Sequence, residues 1–228
     1  MSIWTRIAET VSAIGGSIGA FLQQFSPARA TAPEKSIAFT IGMIALGAKM
    51  AKADGVVTEV EIRAFKQVFH VPDSDLPAVA RVFNLAKQDS AGYESYARQI
   101  ARLFVPGSAL LEDVLDGLFH IAKADDALHP GEDAYLESVA GIFGFSAADY
   151  ARIRARHVTL ANDPYLILGL DRSAQADEIK RRYRELVREY HPDRHIAAGV
   201  PEEMIEIATE RLQKVNEAYD RIARERGL

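Results

Sequence analysis

From residue 36 to residue 157 apolar residues recur at steps of three and four, and no alternating pattern lasts long enough to suggest a strand. Breaks at Gly55, Val71-Pro72, Ser90 to Gly92, Pro106-Gly107, Pro130-Gly131 and Gly144 divide this stretch. The pattern predicts helices over about 36–53, 58–70, 74–88, 92–104, 108–125, 131–143 and 146–157. Residues 3–25 carry a separate stripe: Ile3, Ile7, Val11, Ile14, Ile18, Phe21 and Phe25 fall on one helical face, widened by Trp4 and Leu22. The segment 26–35 reads SPARATAPEK, and its two prolines and small residues mark a linker.

Beyond residue 157 the pattern changes scale. Asp163 followed by Pro164 is a good start for a short helix that Gly169 ends. Between Asp177 and Tyr190 the apolar residues Ile179, Tyr183, Leu186, Val187 and Tyr190 share one face, while Lys180, Arg181, Arg182, Arg184 and Arg188 lie largely on the others. Pro192 stops that helix, because the residue before proline avoids helical angles. From Glu202 to Arg226 a last stripe runs through Ala208, Leu212, Val215, Tyr219 and Ile222. Facing stripes on two helices joined by a loop make an antiparallel hairpin, and the loop displays His191-Pro192-Asp193. The expected fold is all-α: residues 1–25 an amphipathic helix, 26–35 a linker, 36–157 a helical bundle, and 158–228 a small hairpin module that folds as a separate unit.

Composition removes several functions. The net charge of -5 argues against general nucleic-acid binding, which needs a basic footprint. With no cysteine there are no disulfides, thiolate metal sites or cysteine nucleophiles, which suits a reducing compartment. No nucleophile–base arrangement and no glycine-rich phosphate loop is present, so the chain is not read as an enzyme. Arg6, Glu9 and the glycines at 15, 16 and 19 interrupt the N-terminal apolar run, so neither a spanning helix nor a signal peptide is expected there. That stripe can pack on the following body or on a second copy, or lie in a membrane interface. Packing is preferred, since Arg6 is its lone cation.

The bundle contains an internal repeat. Lys49-Met50-Ala51-Lys52-Ala53-Asp54 parallels His120-Ile121-Ala122-Lys123-Ala124-Asp125, with Glu61 and Glu132 following at the same spacing. These turns resemble the TerB-like family known from tellurite-resistance proteins. The resemblance implies divalent-metal ligation by Asp54, Glu61, Asp125 and Glu132, a chemistry suited to carboxylate oxygens. The residues alone favour helix caps and dipole partners, because one turn suffices for a cap whereas a shared metal needs both turns to converge. No other cofactor is implied.

The C-terminal module resembles a J domain of DnaJ-type co-chaperones. The matching parts are Asp163-Pro164-Tyr165 with Leu168-Gly169, Glu178-Ile179-Lys180 with Tyr183-Arg184 and Leu186, His191-Pro192-Asp193-Arg194, and Asn216 with Ala218-Tyr219. The insert Ala198 to Met204 and the domain order are similar to the DjlA subgroup, which joins a TerB-like domain to a C-terminal J domain. The resemblance implies docking on a DnaK-type chaperone and stimulation of its ATPase by His191, Pro192 and Asp193. Lys180, Arg181, Tyr183, Arg184, Arg188 and Arg194 are the implied docking surface. Glu185 stands where many relatives carry a base. DjlA relatives are anchored by an N-terminal spanning segment that residues 3–25 do not match, so the expected location is cytoplasmic, with peripheral contact at the inner face of the inner membrane or self-association through residues 3–25. The alternative is a metal-responsive envelope sensor built on the TerB-like body.

Overall fold

The structure, a computed structural model, describes residues 6–7, 9–10, 18, 32–53, 71–88, 92–124, 127–158, 163–191, 193 and 203–228. Every regular element among them is helical. In chain order they are α1 (Ala32–Ala53), a 3-10 turn (Asp73–Asp75), α2 (Leu76–Gln88), α3 (Tyr93–Ala101), α4 (Ala109–Ala122), α5 (Pro130–Ile142), α6 (Ala147–Ala155), α7 (Pro164–Leu168), α8 (Ala176–Glu189) and α9 (Glu203–Arg226). The helix expected over 58–70 lies outside the described residues.

α1 is the axis of the N-terminal body. Between Ile37 and Met50 its residues are buried except for half-buried Lys49. A helix that is apolar on all sides belongs in a core or a membrane. Here it packs against α2, α3, α4 and α5, and among the described residues no helix is long and apolar enough to cross a membrane. Gly42 lets α3 come close: a Cβ at this position would stand 2.8 Å from Ile100 Cγ1. The Tyr135 hydroxyl donates to the Leu46 carbonyl at 2.9 Å and ties α5 to the same axis.

One expectation is corrected here. α1 begins at Ala32, inside the segment 26–35 read as a linker; Pro33 suits a first helical turn, where its missing N–H is no loss. Of the N-terminal stripe, the described residues Ile7 and Ile18 are 0% and 1% exposed, in one cluster with Ile41 and Leu118. For these two side chains that is the preferred packing reading.

The C-terminal module is a hairpin of α8 and α9 closed by the short α7. Asp163 caps α7 by accepting from the Tyr165 N–H at 3.0 Å, and Gly169 ends it in the left-handed region at φ 69°. Tyr165, Leu168, Ile179, Leu186, Val215 and Ile222 form its core. Arg226 at the end of α9 donates to the Tyr165 hydroxyl and to the carbonyls of Ala174 and Arg172, which fastens the hairpin's base.

The body and the module, expected as separate units, pack against one another through buried side chains. Ala155 of α6 is buried in the module's core, and Ala109 of α4 packs against it. Ile207 of α9 is buried in the core of the body. Periodicity within each segment says which face of a helix is apolar but not which distant helix covers it, and so it could not show this interlock.

Candidate partner-docking site

The loop begins where α8 stops. Tyr190 closes the helix with its N–H on the Leu186 carbonyl. His191 and Asp193 follow on the surface, with side chains 53% and 82% exposed. The Asp193 N–H donates to His191 Nδ1 at 3.3 Å, and the Asp193 carboxylate lies 3.5 Å from the same nitrogen. Two exposed polar groups are thus presented together, the carboxylate 82% exposed. Pro192 and Arg194 lie outside the described residues.

The basic helix divides into roles that its sequence does not separate. Arg181, Arg184 and Arg188 are exposed and Lys180 is half-buried. Glu185 lies 4.0 Å from Arg181 and 3.5 Å from Arg182, so part of the basic face is neutralised locally. Arg182 turns away, donating its Nε to the Leu168 carbonyl at 3.1 Å. Tyr183, expected on the docking surface, sits in the hairpin seam. Its ring stacks on Tyr219 with centroids 4.0 Å apart, and its hydroxyl donates to Asn216 Oδ1 at 3.0 Å. It shapes the hairpin, and the exposed charge comes from Arg184, Arg188 and Arg181.

Of the carboxylates implied as metal ligands, Asp54, Glu61 and Asp125 lie outside the described residues. Glu132 is buried and accepts the His129 N–H at 3.0 Å, capping α5. That geometry fits a helix cap. Among the described residues no group of three or more His, Asp or Glu side chains could hold a metal ion.

A buried ion network lies directly behind the loop, and the sequence reading missed it. Arg152 of α6 forks onto Glu112 of α4 at 2.9 and 3.1 Å. Arg156 lies 2.8 Å from Glu112 and 2.9 Å from Asp116. Arg211 of α9 lies 2.9 Å from Asp113 and donates to the Ala109 carbonyl at 2.9 Å. The Tyr190 hydroxyl donates to the Glu112 carboxylate, 3.0 and 3.2 Å away. Three carboxylates face three guanidinium groups, so the network is neutral with His157 uncharged. Burial would raise the carboxyls of Glu112 and Asp116, but the guanidinium groups, Arg156 foremost, outweigh it and hold both below the ordinary carboxylate range. The sequence did carry a signal: Glu112, Asp113 and Asp116 at i, i+1 and i+4 interrupt an otherwise apolar helix, ALLEDVLDGLFHIA. Acids on such a face must find cations, and Arg152 on α6 and Arg156 at its C-terminal cap repeat the i, i+4 spacing.

Residues 40–155 match the family described as tellurite resistance protein TerB, and residues 163–226 match the DnaJ domain. A protein of Photobacterium profundum called co-chaperone protein DjlA is 30% identical, over 94% of this chain and 86% of its own length. Proteins of the same name from Coxiella burnetii and Escherichia coli are 31% and 27% identical, each over 78% of this chain. No solved structure matches the chain.

Proposed function

Because the chain belongs to the DjlA co-chaperone family, a TerB domain followed by a J domain, we propose that it docks on a DnaK-type chaperone and stimulates its ATPase through His191, Pro192 and Asp193. The observation that carries this reading is the exposure of His191 and Asp193 together at the end of the basic helix α8. An exposed carboxylate such as that of Asp193 suits the fork of an arginine on the partner. Pro192 restricts the backbone and reduces the ordering cost of docking. Arg184 and Arg188, with Arg181, steer an acidic surface toward the loop, and Arg194 and Lys180 add positive charge. The protein performs no chemistry of its own in this scheme. On this reading the protein acts in the cytoplasm, alongside its partner and ATP.

The TerB domain serves targeting or regulation. The capping role of Glu132 supports the helix-cap reading of the acidic turns over metal ligation. The burial of Ile7 and Ile18 supports an N-terminal segment that completes the TerB core rather than one held free for membrane.

Association kinetics with a DnaK-type chaperone and ATP test the proposal. Asp193→Asn is expected to weaken binding by about 10- to 100-fold, the worth of a hydrogen bond to a charged group. Arg184→Glu with Arg188→Glu is expected to slow association about tenfold and to flatten its salt dependence. Unchanged rates and affinities in both variants would place docking elsewhere.

A further inference from the structure

The hydroxyl of Tyr190 is held from outside the J domain. Its side chain is 1% exposed although it adjoins the exposed loop. The hydroxyl has one proton to give, and it goes to Glu112, while Arg152 Nη1 donates to the same oxygen at 2.8 Å. The Arg211 guanidinium carbon lies 3.9 Å from the centre of the ring. Glu112 and Arg152 belong to the TerB domain. Arg211 belongs to the J domain, but its own partners, Asp113 and the Ala109 carbonyl, are on α4. The ring lies in the J domain's core, but each polar group on Tyr190 is fixed in turn by the TerB domain, and the next residue is His191.

A neutral ion network is a poor choice if adhesion is all that is needed. An apolar seam of the same size would hold as well without the desolvation of six charges. What the network adds is register: a small slide of α9 over α4 separates Arg211 from Asp113 and leaves buried charges unpaired. The backbone approach is close as well, since a Cβ at Gly169 would stand 3.2 Å from Arg152 Cδ.

We infer that the TerB domain is a positioning element for the His-Pro-Asp loop, completing the J domain around Tyr190 and setting the loop through the contact of Glu112 and Arg152 with the Tyr190 hydroxyl. This deepens the proposed function and rests on the loop being what the partner reads. Tyr190 and Glu112 are positioning residues. A loop whose start is already ordered loses less freedom on docking. Their removal acts on the concentration needed for half-maximal stimulation and spares the maximal rate, because His191 and Asp193 remain in place.

The chain has no cysteine, so spin labels can be placed on the full-length protein at Ala134→Cys in α5 and Asp220→Cys in α9, both exposed. Pulsed electron resonance then gives the distance distribution between the domains, and a stimulation curve with a DnaK-type chaperone is recorded on the same samples. The labelled parent should show one narrow distance. Tyr190→Phe and Glu112→Gln should each broaden it and raise the half-maximal concentration roughly two- to tenfold, the range for freeing one ordered side chain. The double variant should be no worse than the more severe single one, as expected for groups that share one contact. A broad parent distribution overturns the proposal, and so does either readout at its parental value in the variants, even with a lowered melting temperature. Should Glu112→Gln fail to fold, Tyr190→Phe decides, since it keeps the ring. A parent that gives no stimulation refutes the proposed function, and the distance distributions still decide the docking.

Discussion

Arg152 and Arg154 are two residues apart on α6 and do different work. Arg152 is buried with its fork on Glu112, whereas Arg154 pairs with Asp133 at side-chain exposures of 34% and 30%. Removing one partner of a buried pair strands the other charge, so Arg152→Ala is expected to cost about 3–5 kcal/mol. Arg154→Ala is expected to cost no more than about 1 kcal/mol, because water screens the pair. Denaturant midpoints of the two variants check the contrast. His157 gives a pH dependence of definite sign. It stacks on Phe119 with centroids 4.6 Å apart and lies 2.6 Å from Asp116. Burial lowers its pKa, helped by Arg156 and Lys123, against the pull of Asp116. The unfolded chain takes the proton near the ordinary histidine pKa of about 6.5 while the folded state resists it. Stability is therefore full above that pH and falls as pH drops below it. A second loss begins below about 4, where unfolded carboxylates take protons that Glu112 and Asp116 still refuse. His157→Gln should flatten the first slope and leave the second, as read from denaturant midpoints at pH 7.5, 5.5 and 3.5. A first slope unchanged by the substitution would contradict this assignment.

Helix boundaries were largely legible because caps and periodicity are local. Asp163, Gly169 and the residues before Pro192 mark their ends by side-chain chemistry that needs no distant partner. The start of α1 was misjudged because Pro33 suits a first turn as well as it suits a linker. The role of Gly42 was not legible, since glycine inside a helix looks like a weak point until the helix crossing it is known. Gly42→Ala would gain about 1 kcal/mol in helix propensity, but its Cβ would stand 2.8 Å from Ile100 Cγ1. Overpacking of this kind costs about 1–3 kcal/mol, so a net loss is expected. Ile100→Val, which shortens the opposing side chain, should recover part of it, and thermal melts of the single and double variants measure the coupling. The spacing of the apolar residues put Arg181, Arg184 and Arg188 on the exposed side of α8, whereas Tyr183 belongs to the seam because Asn216 and Tyr219 meet it from α9.

At the scale of the whole molecule the two domains form one structure. Ile207 lies in the TerB core and Ala155 in the J-domain core, with the ion network between them. The order of the domains and the site loop could be read from short motifs. The join could not, because Glu112 and Arg152 are 40 residues apart and Glu112 and Tyr190 are 78 apart. Calorimetry should show a single cooperative transition for the full chain, and two separated transitions would contradict the shared core. The central claim, that the loop of this joined structure drives a partner's ATPase, is tested most directly by single-turnover ATP hydrolysis on a DnaK-type chaperone. The wild-type chain should accelerate hydrolysis, and His191→Gln and Asp193→Asn, both exposed and so expected to fold normally, should return it to the unstimulated rate. Equal acceleration by wild type and both variants, or none from folded wild type, would contradict the account.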